Sequence, residues 1–263
     1  MIRIIFVLLF FYSGLVSAQV TNNFVIENYI KIDTNIVMRD GIKLKTIIYI
    51  PKDGKEKYPF LIERTPYSAG PYGDTAFANR IGPNTNLIQE KYIFVYQDVR
   101  GRYMSEGINL EVTPYIINKN NNKDVDESSD TYDAVEWLVK NIKNNNGRAG
   151  LYGISYPGFY ATAALPNAHP AIKAVSPQAP VTDEFIGDDA NHNGAFFLLD
   201  NFSFMNYFGK ERTGPIENYG TQIFDYKTED AYDFFLKLGP LKNTQSAQYF
   251  NNRSYIWNEY LQH

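Results

Sequence analysis

Cysteine is absent from all 263 residues. That excludes a disulfide framework, a thiol nucleophile and lipid attachment after a lipoprotein signal. Histidine is scarce, with only His169, His192 and His263 in the chain. Their spacing to one another fits neither a metal-ligand pair nor an HExxH pattern, so no metal and no cofactor is expected. A basic surplus is also missing: 25 Lys and Arg against 29 Asp and Glu leave a net charge of −4. Nothing in that balance argues for nucleic acid or an anionic membrane as a partner. No apolar run reaches the ~20 residues needed to span a bilayer.

What is present is an ordinary globular composition, 44% hydrophobic and 21% charged, long enough for one large domain or one domain and the start of another. The 21 Tyr and 18 Phe are plentiful; a Tyr-rich surface and core accounts for most of them, and tyrosine also suits pocket walls. Residues 1–18 read as a secretory signal peptide. Arg3 is the positive start, Ile4 to Tyr12 the apolar run, and Val16-Ser17-Ala18 the small residues before cleavage, leaving Gln19 as the mature N-terminus. A single membrane anchor is the competing reading, disfavoured by the shortness of the run. Export to the periplasm or the extracellular space is the expectation, with no membrane partner once the signal is removed.

The rest divides by pattern. From Asn23 the chain reads as β structure, with strands over Asn23–Asp33 and Asn35–Met38 up to the turn signal Arg39-Asp40-Gly41, then a strand over Lys43–Ile50. Phe60–Glu63 and Tyr92–Tyr96 are short aromatic and β-branched runs suited to strands buried on both faces of a parallel sheet. A polar loop over residues 118–129 leads to a helix capped by Asp130 or Thr131, whose Val135, Leu138, Val139 and Ile142 share one face. The run Asn144-Asn145-Asn146-Gly147 ends that helix. Ala149–Gly153 is a strand, Tyr156–Leu165 a helix of small residues, and Ile172–Val175 a further strand. Strands alternating with helices imply a mostly parallel sheet with helices on both faces, the α/β class. From about Asn191 aromatic segments with helical spacing, such as Glu229–Leu238, suggest a second, helical element.

Between the strand and the helix of small residues lies Gly153-Ile154-Ser155-Tyr156-Pro157-Gly158. A serine on a sharp strand-to-helix turn is exposed at the carboxyl edge of the sheet, where open α/β folds place their ligands. Both glycines allow close approach of strand, turn and helix, and Pro157 fits a first helical turn. The helix N-terminus favours negative charge near Ser155. The second glycine comes one residue later than in the general G-x-S-x-G pattern, and a plain turn is the alternative.

This segment resembles the G-x-S-Y-x-G of the X-Pro dipeptidyl-peptidase (S15)-like hydrolases, a group that includes cocaine esterase, glutaryl acylases and α-amino acid ester hydrolases. Three further segments match in order: Arg64-Thr65-Pro66-Tyr67; Gln97-Asp98-Val99-Arg100-Gly101-Arg102 with Ser105-Glu106-Gly107; and Gly187-Asp188-Asp189. The resemblance runs from about residue 30 to at least 200. It implies an α/β-hydrolase fold in which Ser155 is the acylated nucleophile. The Tyr156 backbone N–H and the Tyr67 hydroxyl form the oxyanion hole. Asp189, less directly Asp188, binds a substrate α-ammonium group. Read from residues alone, Tyr67 is a packed aromatic after a strand and Asp189 a helix N-cap. Asp98 and Arg100 read as a buried ion pair or a loop brace.

A serine hydrolase needs a base and a carboxylate to orient it, in the chain order Ser, Asp or Glu, His. His169 is expected at the opposite edge of the sheet from Ser155, and His192 arrives before the helical segment. The resemblance places the acid and histidine after a helical cap, so that neither is expected within this chain. The expected organisation is a signal peptide over 1–18, an incomplete α/β-hydrolase core over 19–190 and the start of a helical cap over 191–263. The expected activity is hydrolysis of esters or amides, with α-amino acid esters, small acyl amides or short peptides as substrates. Dipeptide release after proline is the second reading, and a non-catalytic binding protein on the same fold the third.

Overall fold

The computed structural model describes residues 22–54, 56–183, 187, 190–209, 212–220, 224–251 and 254–262. The signal peptide expected over 1–18 lies outside the described residues, among which no helix is long and apolar enough to cross a membrane. A short helix α1 (Asn22–Asn28) leads into the antiparallel pair β1 (Tyr29–Val37) and β2 (Lys43–Pro51). The first residues expected as strand are therefore helical, and the strand begins at Tyr29. The Arg39-Asp40-Gly41 turn forms as the sequence indicates, with Gly41 at φ +90° and the Gly41 N–H donating to the Met38 carbonyl at 2.9 Å.

The sheet continues through β3 (Tyr58–Thr65), β4 (Ile93–Asp98), β5 (Asn145–Ile154) and β6 (Ile172–Gln178), in the order β1-β2-β4-β3-β5-β6. Strands β4, β3, β5 and β6 run parallel, while β1 and β2 are antiparallel at one side. Period-two alternation sorts side chains to two faces. Ile48, Phe60, Ile62 and Val95 pack under α3 (Glu127–Asn141) and α4 (Tyr156–Ala163). On the opposite face Ile47, Tyr49 and Phe94 pack against Val25 of α1 and Ile88 of the short helix α2 (Thr85–Gln89). This is the α/β-hydrolase arrangement, a mostly parallel sheet with helices on both faces.

Helix α3 starts earlier than the sequence pattern suggests. Its N-cap is Asp126, which accepts from the Ser129 N–H at 2.9 Å while Ser129 Oγ accepts from the Asp126 N–H at 2.8 Å. Reciprocal bonds of this kind satisfy two amide donors at once. The helix ends before Ile142, and the Asn-rich run already belongs to β5 from Asn145. After β6 come a two-residue hairpin, β7 (Asn191–His192) and β8 (Ala195–Phe196), then α5 (Leu198–Phe208), α6 (Ala231–Leu238), a 3-10 turn over Leu241–Gln245 and α7 (Tyr255–Gln262). These helices share an aromatic core around Phe202, Phe250 and Trp257.

Candidate active site

Ser155 follows the last residue of β5 and is the N-cap of α4. Its backbone lies at φ +60°, ψ −124°, a conformation that costs a non-glycine residue of order 1–3 kcal/mol and persists only when its surroundings enforce it. The enforcement is visible. Its N–H donates to the Gln178 carbonyl of β6 at 3.0 Å, and its carbonyl accepts from Phe159 at 3.1 Å and Val181 at 3.3 Å. The side chain caps nothing in α4 and is exposed at the carboxyl edge of the sheet. A Cβ on Gly153 would stand 2.1 Å from the Pro157 carbonyl oxygen, and one on Gly158 3.0 Å from Pro180 Cα. Close packing falls at Gly158, one position past the usual second glycine, and Pro157 occupies the first turn of α4.

The residues next to Ser155 build an aromatic wall. The buried Tyr156 ring stacks on Tyr160 at 5.3 Å and on Phe208, the last residue of α5, at 5.2 Å. Its hydroxyl accepts from the Val112 N–H at 2.9 Å. Tyr67, in the loop after β3, sets its ring edge-on to Tyr156 at 6.3 Å and to Phe208 at 6.1 Å, and remains 39% exposed. The structure thus brings Tyr67 and the Ser155 turn together at one edge, with the aromatic helical segment closing a side. Phe208 has no local sequence signal: it reaches the site from more than fifty residues downstream.

Asp98 and Arg100 are not partners of each other. Arg100 pairs with Asp40 and Asp130, at 2.7 Å in each case. Asp98 is fully buried at the end of β4 and accepts from the Ala69 N–H at 2.6 Å, the Tyr72 hydroxyl at 2.7 Å and the Met104 N–H at 3.0 Å. Burial pushes its carboxyl up to about 6, against the pull of those three donors and of Arg212. Of the two sequence-level alternatives, the loop brace describes Asp98 and the ion pair describes Arg100. Arg102 is also buried, its guanidinium 4.0 Å from the Phe208 ring centre and 4.5 Å from that of Tyr219. It donates to the carbonyls of Pro66 at 3.1 Å and Phe208 at 2.9 Å, tying the Tyr67 loop to the end of α5.

The histidines lie elsewhere. His169 precedes β6 at the amino edge, opposite Ser155. Its Nδ1 accepts from the Ala171 N–H at 3.0 Å, which leaves the proton on Nε2 to reach Glu136 at 2.8 Å. His192 is exposed on the β7–β8 hairpin, and His263 is outside the described residues. Asp188 and Asp189 are also outside the described residues. Gly187 before them is described, at φ +75°, its N–H donating to the Asn191 carbonyl at 3.1 Å. Among the described residues no group of His, Asp and Glu could hold a metal ion.

A model of the X-Pro dipeptidyl-peptidase (S15 family) matches residues 40–256, most of the chain. The chain belongs to the S15 family. It is 33% identical to an alpha-amino acid ester hydrolase of known structure, over 90% of this chain and 38% of that one, with a TM-score of 0.74. It is 32% identical to an aminopeptidase from the marine sediment archaeon Thaumarchaeota archaeon, with the same coverage, 90% and 38%, and a TM-score of 0.74. The chain therefore spans well under half the length of these two solved structures. No curated protein matches it.

Proposed function

We propose that the chain is the nucleophile-bearing part of a serine hydrolase that cleaves esters or amides through an acyl-enzyme. The observation that carries this reading is the strained, exposed Ser155 on the β5–α4 turn, facing the same edge as Tyr67. In this reading Ser155 Oγ attacks the substrate carbonyl. The Tyr156 N–H at the start of α4 and the Tyr67 hydroxyl receive the oxyanion, and the α4 N-terminus adds its partial positive charge. In this reading His169 is not the base, because it is committed to Glu136 and Ala171 at the far edge.

The substrates proposed are α-amino acid esters or small acyl amides, with Asp189 and Asp188 as the groups that receive an α-ammonium. Support comes from the Gly187-Asp188-Asp189 segment and from the likeness to an alpha-amino acid ester hydrolase. The likeness to an aminopeptidase favours a second reading, release of residues or dipeptides from short peptides. We read residues 19–190 as an incomplete α/β-hydrolase core, 191–263 as the start of a helical cap, and residues 1–18 as a signal for export. A fluorophosphonate probe tests the chemistry, since only an activated serine reacts. Labelling that disappears in Ser155→Ala supports the hydrolase reading. An unlabelled protein, assayed together with any chain that completes it, would favour a binding protein on the same fold.

A further inference from the structure

The loop that carries Tyr67 is held in an unusual conformation. Ser68, the next residue, sits at φ +108°, a left-handed region that a non-glycine residue adopts only under constraint. The constraint comes from the segment after β4. The Val99 N–H donates to the Thr65 carbonyl at 3.1 Å, and Thr65 Oγ1 accepts from the Tyr67 N–H at 3.1 Å. Arg102 Nε holds the Pro66 carbonyl at 3.1 Å. Beyond Tyr67, Asp98 takes both remaining contacts. Its Oδ1 accepts from the Ala69 N–H at 2.6 Å and its Oδ2 from the Tyr72 hydroxyl at 2.7 Å. That hydroxyl lies 2.9 Å from Ser68 Oγ, which also accepts from the Gly70 N–H at 3.1 Å.

We infer that Asp98 is a positioning residue for the Tyr67 hydroxyl, acting through Tyr72 and Ser68 on the strained backbone of the loop. The inference rests on the reading of Tyr67 as an oxyanion donor. It assigns to the buried carboxylate a task that packing alone does not require. While Asp98 is ionised, the direction of the relay is fixed: Tyr72 must donate to the carboxylate, so Ser68 must donate to Tyr72. A proton added at Oδ2 reverses both bonds. Asp98 then donates to Tyr72, Tyr72 donates to Ser68, and Ser68 Oγ accepts from both Tyr72 and the Gly70 N–H, leaving its own proton without that partner. The proton is the single species gained, and no covalent bond to carbon changes.

The groups that face Asp98 agree with an ionised carboxylate under neutral conditions and a protonated one in mild acid. Burial raises its pKa to about 6, while Tyr72, the Ala69 and Met104 amides and the positive charge of Arg212 oppose the rise. Burial and the neighbouring Asp98 push the Tyr72 phenol well up, so it stays protonated and serves as donor throughout. Tyr103, the other titratable hydroxyl beside Tyr72, is raised as well, by burial and by its bond to Tyr207.

Carbon-13 at the tyrosine Cζ, introduced in the whole chain and assigned with Tyr67→Phe, reads this coupling directly. Between about pH 8 and about pH 5 the Tyr67 resonance is expected to move with a midpoint near 6. In Asp98→Asn it should be displaced at every pH and should no longer titrate, while Asp98→Glu should restore a titration. Tyr72→Phe keeps the carboxylate and deletes the relay hydroxyl. It should displace the resonance too, and it decides the matter if Asp98→Asn does not fold. Assayed together with any chain that completes the protein, both Asn and Phe variants should also label at Ser155 about tenfold more slowly, at an unchanged half-saturating probe concentration. A Tyr67 resonance that titrates alike in the unaltered protein and both variants overturns the inference. An unaltered protein that does not label even when assayed together with any chain that completes it, but whose Tyr67 resonance behaves as expected, counts against the hydrolase reading and in favour of the coupling.

Discussion

A methyl group at Gly153 would stand 2.1 Å from the Pro157 carbonyl oxygen, a distance at which the turn itself has to move. At Gly158 the contacts of 3.0–3.2 Å ask only for a small shift. Gly153→Ala should therefore destabilise the protein by about 3 kcal/mol or more, and Gly158→Ala by about 1. Denaturant midpoints give both numbers, and a reversed order would mean that the strain at Ser155 is not held by close packing at Gly153. Both glycines and the serine were legible in the sequence as a turn between strand and helix. The partners of Asp98 were not, since its three donors come from loops whose folding a local pattern does not specify. Its raised pKa also has a sign that can be measured. The folded state binds the proton more tightly than the unfolded chain, so ionising Asp98 costs stability, and the cost grows as pH rises from 3.8 to about 6. That cost is about 3 kcal/mol. Relative to Asp98→Asn, the unaltered protein should lose about that much stability between pH 4 and pH 7. A constant difference across that range would show that Asp98 is not desolvated.

Helix α3 shows where element-level reading stops. The apolar positions Val135 and Leu138 place its buried face correctly, because periodicity is a local property. Its first turn is polar in sequence and looks like loop, yet Glu127, Asp130 and Thr131 are buried. The reason lies across the sheet. Arg64 of β3 is buried beneath that turn, reaching Glu127 at 2.7 Å, Thr131 at 2.9 Å and Gln97 of β4 at 2.9 Å. Burial raises the Glu127 pKa, and the Arg64 charge opposes that rise. Removing one member of such a pair leaves the other buried and uncompensated, at a cost of about 3–5 kcal/mol. Arg64→Met should therefore be severely destabilising, and adding Glu127→Gln should recover much of the loss. If the double variant is no more stable than the single one, Arg64 contributes by packing on Tyr160 rather than by charge. The start of β1 failed for a related reason. Asn22–Asn28 forms a helix whose Val25 packs under α2, a tertiary contact that overrides the strand-like apolar pattern.

At the scale of the molecule, the sheet is covered unevenly. A strand of a parallel sheet is normally buried on both faces, and the run Ile172–Val175 reads in sequence as a strand of such a sheet. Among the described residues β6 is an edge strand that pairs with β5 alone, and Lys173, Ala174, Ser176 and Gln178 are exposed. Ile154 at the end of β5 is also 56% exposed. An uncovered, unpaired parallel strand is a template for pairing with another copy. The 263-residue chain by itself should therefore self-associate as its concentration rises, which sedimentation velocity would detect as a shift to larger species. Ala174→Lys adds a charge on the exposed side of β6 without touching the α3–α4 core, since only Ile172 and Val175 of this strand pack there. It should return the chain towards monomer with an unchanged unfolding midpoint at low concentration. Self-association that Ala174→Lys leaves untouched would move the contact away from β6, to the aromatic helical segment. A chain that stays monomeric at every concentration would mean that the edge is already protected.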